Sequence, residues 1–188
     1  MGESNCAEAT SDKQDDTTVR GIRAVWLSGG ITTGLTEEVL KALWDLIEAD
    51  KEKPIALFIN SDGGTVVEAT ALYDFILASE TPIDTYALGE IKSAAVLVFV
   101  AGRRRYTYPN TLFMLHKAIG SPPERNFPEV LRYAEEMSKW DGRYAGLVAQ
   151  RIKLDSTAIR AAMEATTFFG AEEALEWGVC DEIVGKNE

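Results

Sequence analysis

Five consecutive apolar residues, Ile55-Ala56-Leu57-Phe58-Ile59, stand between Pro54 and the polar turn Asn60-Ser61-Asp62-Gly63-Gly64. A run this short, with no charge in it, reads as a strand covered on both faces, the form strands take in a parallel sheet. Helical patterns flank it. Thr36, Glu37 and Glu38 followed by Val39, Leu40, Leu43, Leu46 and Ile47 predict a helix with acids in its first turn. A second helix is expected over 66–78 and a third over 93–101, with strands over 22–27, 83–88 and 112–115. Strands alternating with helices imply right-handed crossovers and a mainly parallel sheet, so the expected fold class is α/β. Residues 121–126 then read as a loop and residues 127–151 as one long helix.

Residues 1–18 hold only Met1, Cys6, Ala7 and Ala9 as apolar groups, too few to offset the entropy of ordering. They are expected to form a mobile polar tail, which leaves residues 19–188 as a single domain. Nineteen Lys and Arg against thirty Asp and Glu leave a net charge of −11, which argues against nucleic acid as a partner. The first residues carry neither a basic region nor an apolar run, so no secretory signal is expected and the protein is read as cytoplasmic. The longest apolar stretch, 94–101, falls far short of the roughly 20 residues that span a bilayer. Cys6 and Cys180 suggest neither a disulfide framework nor a metal site.

Chemistry is concentrated in four segments: Asn60 to Gly64, Gly89 to Ala95, Phe113 to His116, and Ala171 to Asp181. Three of them follow strands, and strand ends at the carboxyl edge of a parallel sheet face a common crevice. Alone, Ser93 reads as a helix N-cap, and Gly63-Gly64 as a tight turn that needs positive φ. The chain's single histidine, His116, changes that reading, because neutral imidazole is the base best suited to take a serine proton near pH 7. The glycines would let backbone N–H groups approach a substrate, and the helix start at Ala94 would add another N–H, as an oxyanion site requires.

The ordered set Asn60-Ser61-Asp62-Gly63-Gly64, Gly89-x-x-x-Ser93, Met114-Leu115-His116 and Ala171-Glu172-Glu173-Ala174-x-x-x-Gly178-x-x-Asp181 resembles the Clp protease proteolytic subunit family over roughly residues 22–184. The resemblance implies a ClpP/crotonase-like fold with repeated β-β-α and βαβ units and a long protruding helix. It further implies a serine endopeptidase with Ser93 as nucleophile, His116 as base, and Gly63, Gly64 and Ala94 at the oxyanion. Peptides or unfolded proteins would be the substrates, a ring-like homo-oligomer the assembly, and no cofactor or metal is implied.

Several positions depart from the family pattern. Aligned without gaps on Ala171, the position of the third triad member, an aspartate, falls on Ala162, and Glu164 two residues on is the nearest substitute. Alone, Glu164 reads as a solvated carboxylate at a helix end. Asp141 interrupts the apolar stripe of the long helix and is expected away from the site. Lys92 before the serine raises a serine–lysine dyad, although neighbouring residues at a helix start point apart. The family docks a ring ATPase unfoldase through an apolar N-terminal loop and first helix, and the short polar tail here speaks against such docking. Two rival readings are a degenerate scaffold or binding module and a crotonase-like acyl-CoA enzyme.

Overall fold

A computed structural model of the chain describes residues 18–19, 22–120 and 126–185. Residues 1–17, expected as the tail, and 121–125 of the expected loop lie outside the described residues. Within them the elements run β1 (Thr18–Val19), β2 (Ile22–Ser28), α1 (Thr33–Ala49), β3 (Ile55–Ser61), α2 (Val66–Ala78), β4 (Ile83–Lys92), α3 (Ala94–Val100), β5 (Arg105–Thr107), β6 (Leu112–Leu115), α4 (Phe127–Ala149), α5 (Ser156–Glu164), β7 (Thr167–Phe169), α6 (Ala171–Glu176) and β8 (Glu182–Ile183). The described strands form one mixed sheet in which β2, β3, β4, β5 and β8 pair in parallel. The α/β expectation with a mostly parallel sheet therefore holds.

Several boundaries differ from expectation, among them the end of β4, which runs four residues past 88 to Lys92 because Glu90–Lys92 pair with β6. Thr18, assigned to the tail, pairs with Arg23 in the antiparallel β1–β2 ribbon. Helix α1 starts three residues before Thr36, because Thr32 caps it by accepting from the Leu35 N–H. Strand β3 has helices on one side only. On its other face Phe58 lies between Trp26 and Tyr86 in an aromatic ladder that continues to Tyr106 and leaves Trp26 half exposed. The centroid spacings of 4.6, 4.8 and 4.6 Å match the distance between adjacent strands.

Strand β4 forks, and the fork positions the site. Its first half, Thr85–Ala87, pairs with β5, whereas Glu90–Lys92 pairs with β6. The bend falls at Gly89, whose φ is 58°, and the Asn60 side chain fills the space beside it and accepts from the Glu90 N–H at 3.1 Å. Helix α3 follows directly. All seven of its residues, Ala-Ala-Val-Leu-Val-Phe-Val, are apolar and at most 1% exposed, so it is a buried axle between sheet and outer helices. By contrast, α4 is buried only at Tyr144, Ala145 and Val148, and its first two turns expose Phe127 and Leu131. No helix among the described residues is long and apolar enough to cross a membrane.

Candidate active site

The parallel pairing of β4 with β6 sets Lys92 opposite Met114, so the chain ends of these two strands emerge side by side. Ser93 is the first residue after β4, and its N–H donates to the Met114 carbonyl at 2.8 Å. His116 is the first residue after β6. Its Nε2 lies 2.8 Å from Ser93 Oγ. With Nε2 accepting the hydroxyl proton, the ring's own proton resides on Nδ1.

Ser93 is at the N-cap position of α3, as its isolated reading suggested, yet its side chain makes no capping bond and turns to the histidine instead. Its backbone sits at φ 53°, ψ −126°, one of two described non-glycine residues with positive φ. Such a conformation costs on the order of 1–3 kcal/mol and needs support from its surroundings. Support comes from α4: the Tyr144 hydroxyl donates to the Ser93 carbonyl at 2.8 Å. Tyr144 is buried, and burial pushes its phenol pKa far upward, so it stays a protonated donor.

The turn after β3 packs against this elbow. A Cβ on Gly63, at φ 102°, would stand 2.8 Å from both Lys92 O and Ser93 Cβ and 3.2 Å from Ala94 N. Gly64 forms a parallel bridge with Ile31, and a Cβ there would meet the Ile31 backbone at 2.3 Å. The Gly63 N–H already donates to Ser61 Oγ at 3.1 Å. Among the described residues neither the Gly64 nor the Ala94 N–H donates to a protein acceptor, and Ala94 N lies beside Gly63.

The acids are distributed differently. Ala162 lies inside α5, and its carbonyl accepts from Thr167 Oγ1. Glu164 ends α5 with its side chain 68% exposed and ion-paired with Lys117, the residue after His116. Asp141 is not remote from the site as expected. It lines the same small cavity as Ser93 and His116, and its Oδ1 accepts from the Ala118 N–H at 2.9 Å. Strand β7 runs antiparallel to β6 with Leu115 opposite Thr167 as the last pair, so His116 and Thr166 each stand one residue beyond the pairing. Thr166 is the second positive-φ residue, at 51°. Among the described residues, the bond to Ser93 is the only hydrogen bond of the His116 ring. Lys92 Nζ is ion-paired with Glu90, which takes it out of a dyad with Ser93.

Sequence reasoning missed Tyr144, Trp140 and Thr166 as site residues. Trp140 and Tyr144 stand one helical turn apart beside the flagged Asp141, so a face of α4 carrying Trp, Asp and Tyr was the available signal. For Thr166 none existed, because its place depends on strand register.

The model of the family described as Clp protease matches residues 11–187 of the chain. The chain is also similar to the ATP-dependent Clp protease proteolytic subunit of Bdellovibrio bacteriovorus, at 30% identity over 166 residues that cover 86% of this chain and 78% of that protein.

Proposed function

The chain belongs to the Clp protease family, and on that premise we propose that it is a serine endopeptidase working through an acyl-enzyme on Ser93. The observation that carries this reading is the 2.8 Å contact between Ser93 Oγ and His116 Nε2, made by a hydroxyl that gives up its capping role. In the first step His116 Nε2 takes the Ser93 proton while Oγ bonds to the substrate carbonyl carbon. The carbonyl electron pair becomes an oxyanion, held by the N–H groups of Gly64 and Ala94, with Gly63 keeping the turn against the elbow. Collapse breaks the C–N bond, and the departing amine takes the proton from His116. Water then yields a proton to His116 and its oxygen bonds to the acyl carbon. Ser93 Oγ leaves and recovers its proton.

Glu164 is the acid we assign to support His116. To do so its carboxylate must exchange Lys117 for the imidazole, two residues that are neighbours in the chain. Peptides or unfolded segments are the proposed substrates. A homo-oligomer, ring-like as the family implies, would cover the exposed apolar positions of α4. An acyl-CoA reaction is not favoured by the family membership.

Intact-mass labelling with a fluorophosphonate tests the reading. Wild-type protein should gain one adduct per chain, and Ser93→Ala and His116→Ala should both lose it. Assembled wild-type protein that takes up no label would establish an inactive scaffold in place of a peptidase.

A further inference from the structure

The cavity that touches both Ser93 and His116 is about 20 Å³. It is narrow beside the grooves that adjoin it. On either side lie much larger grooves. One of about 590 Å³ runs along Gly63, Gly64 and Ile119, and one of about 460 Å³ lies between residues 117–120 and the faces of α4 and α5. The space directly at Ser93 and His116 is thus much narrower than the grooves that adjoin it.

Named side chains produce this constriction. Trp140 and Tyr144 line it from α4, Met163 from α5 and Ala94 from the start of α3. The wall cannot swing aside cheaply. Tyr144 is tied through its hydroxyl to the Ser93 carbonyl at 2.8 Å, so moving the ring away breaks a buried hydrogen bond at the nucleophile itself. Asp141 is held by the Ala118 N–H at 2.9 Å, and the Arg143 guanidinium lies over the Trp140 ring at 5.1 Å.

We propose that the Ser93 site accepts only a small side chain (glycine, alanine or serine) on the acyl side of the scissile bond, and that Trp140 and Tyr144 set this limit. The proposal rests on the peptidase reading above. With the carbonyl carbon at Ser93 Oγ and its oxygen toward the Gly64 and Ala94 N–H groups, the adjoining Cα must carry its substituent into the space bounded by Ala94, Trp140 and Tyr144. A methyl or hydroxymethyl group fits there. An isobutyl or benzyl group overlaps the indole and phenol rings, and overpacking against a tied wall is strongly unfavourable. Trp140, half-buried, also lines the groove along the glycine turn, so its removal would widen the passage between the two.

The experiment compares internally quenched peptides identical except for alanine, leucine or phenylalanine at the acyl-side position, using full-length protein whose Ser93 has first been shown to take a fluorophosphonate. Wild-type kcat/KM should be at least tenfold higher for alanine than for leucine, with phenylalanine lower still. Trp140→Ala should raise the leucine-to-alanine ratio of kcat/KM at least tenfold, and Trp140→Leu, which keeps more of the packing, should raise it in the same direction. A labelled wild type that cleaves the leucine peptide as fast as the alanine peptide, or cleaves neither, overturns the size limit and leaves the peptidase reading standing. So does an unchanged ratio in the folded variants. Absence of labelling overturns the peptidase reading itself, and this proposal with it.

Discussion

Ser93 combines a left-handed backbone, a hydroxyl 2.8 Å from an imidazole and a carbonyl held by a buried tyrosine. At the residue scale, the contrast lies at the end of the β6–β7 pairing. An orienting acid is worth up to about 10⁴ in rate to a serine–histidine pair, and the residue just beyond the last β6–β7 pair, on the β7 side, is a threonine. A β-branched residue at positive φ is strained, while Asp and Asn tolerate that region better. Thr166→Asp is therefore expected to raise the fluorophosphonate labelling rate at pH 7 by about tenfold or more without lowering the Tm. Glu164→Gln supplies the counterpart: a labelling rate that falls at least tenfold supports Glu164 as the acid, and an unchanged rate removes it from that role.

At the scale of elements, two strand ends and one turn are locked together by close packing. Gly63 occupies a site where even a methyl group would press on Lys92 O and Ser93 Cβ at 2.8 Å, and its φ of 102° excludes ordinary residues. Gly63→Ala should cost about 1–3 kcal/mol of stability, read as a lowered denaturation midpoint. The labelling rate should fall with it, since any relief moves the Ser93 elbow. A variant with wild-type stability and labelling would show that the turn and the elbow are not coupled. The elements were largely visible in the sequence, because continuous apolar runs and helical spacing survive without tertiary information. Strands β5, β7 and β8 were not seen. They have two or three residues each, pair in register with strands distant in the chain, and carry too few positions for any periodicity.

Over the whole molecule, the C-terminal segment is fastened to the sheet by Arg105. Its guanidinium bonds both carboxylate oxygens of Asp181 and the carbonyls of Arg151 and Gly178, the latter two at 2.7 and 2.8 Å. Partial burial alone would raise the Asp181 pKa, but the Arg105 hydrogen bonds and charge outweigh it and hold the carboxyl below its usual range. A folded pKa below the unfolded value of about 3.9 means that the stabilisation is present above that pH and is lost as pH falls through the folded pKa. Asp181→Asn should lower the Tm at pH 7 by about 2–4 °C, a modest shift because the pair is partly exposed. The gap between variant and wild type should narrow steadily below about pH 4. A gap independent of pH would show that the clasp does not act through the carboxylate's charge.

By itself the sequence determined the α/β class, the order of the main strands and helices, and Ser93, His116 and the glycine turn as candidates. Each of these is written in local pattern or residue chemistry. The tertiary structure alone decided that Ser93 turns from its helix to His116, that Tyr144 and Asp141 reach the site from α4, and that Thr166 stands just beyond the β6–β7 pairing. These depend on the fork in β4, on inter-strand register and on the seating of a long helix. They arise where segments far apart in the chain meet, and no local run of residues encodes that meeting.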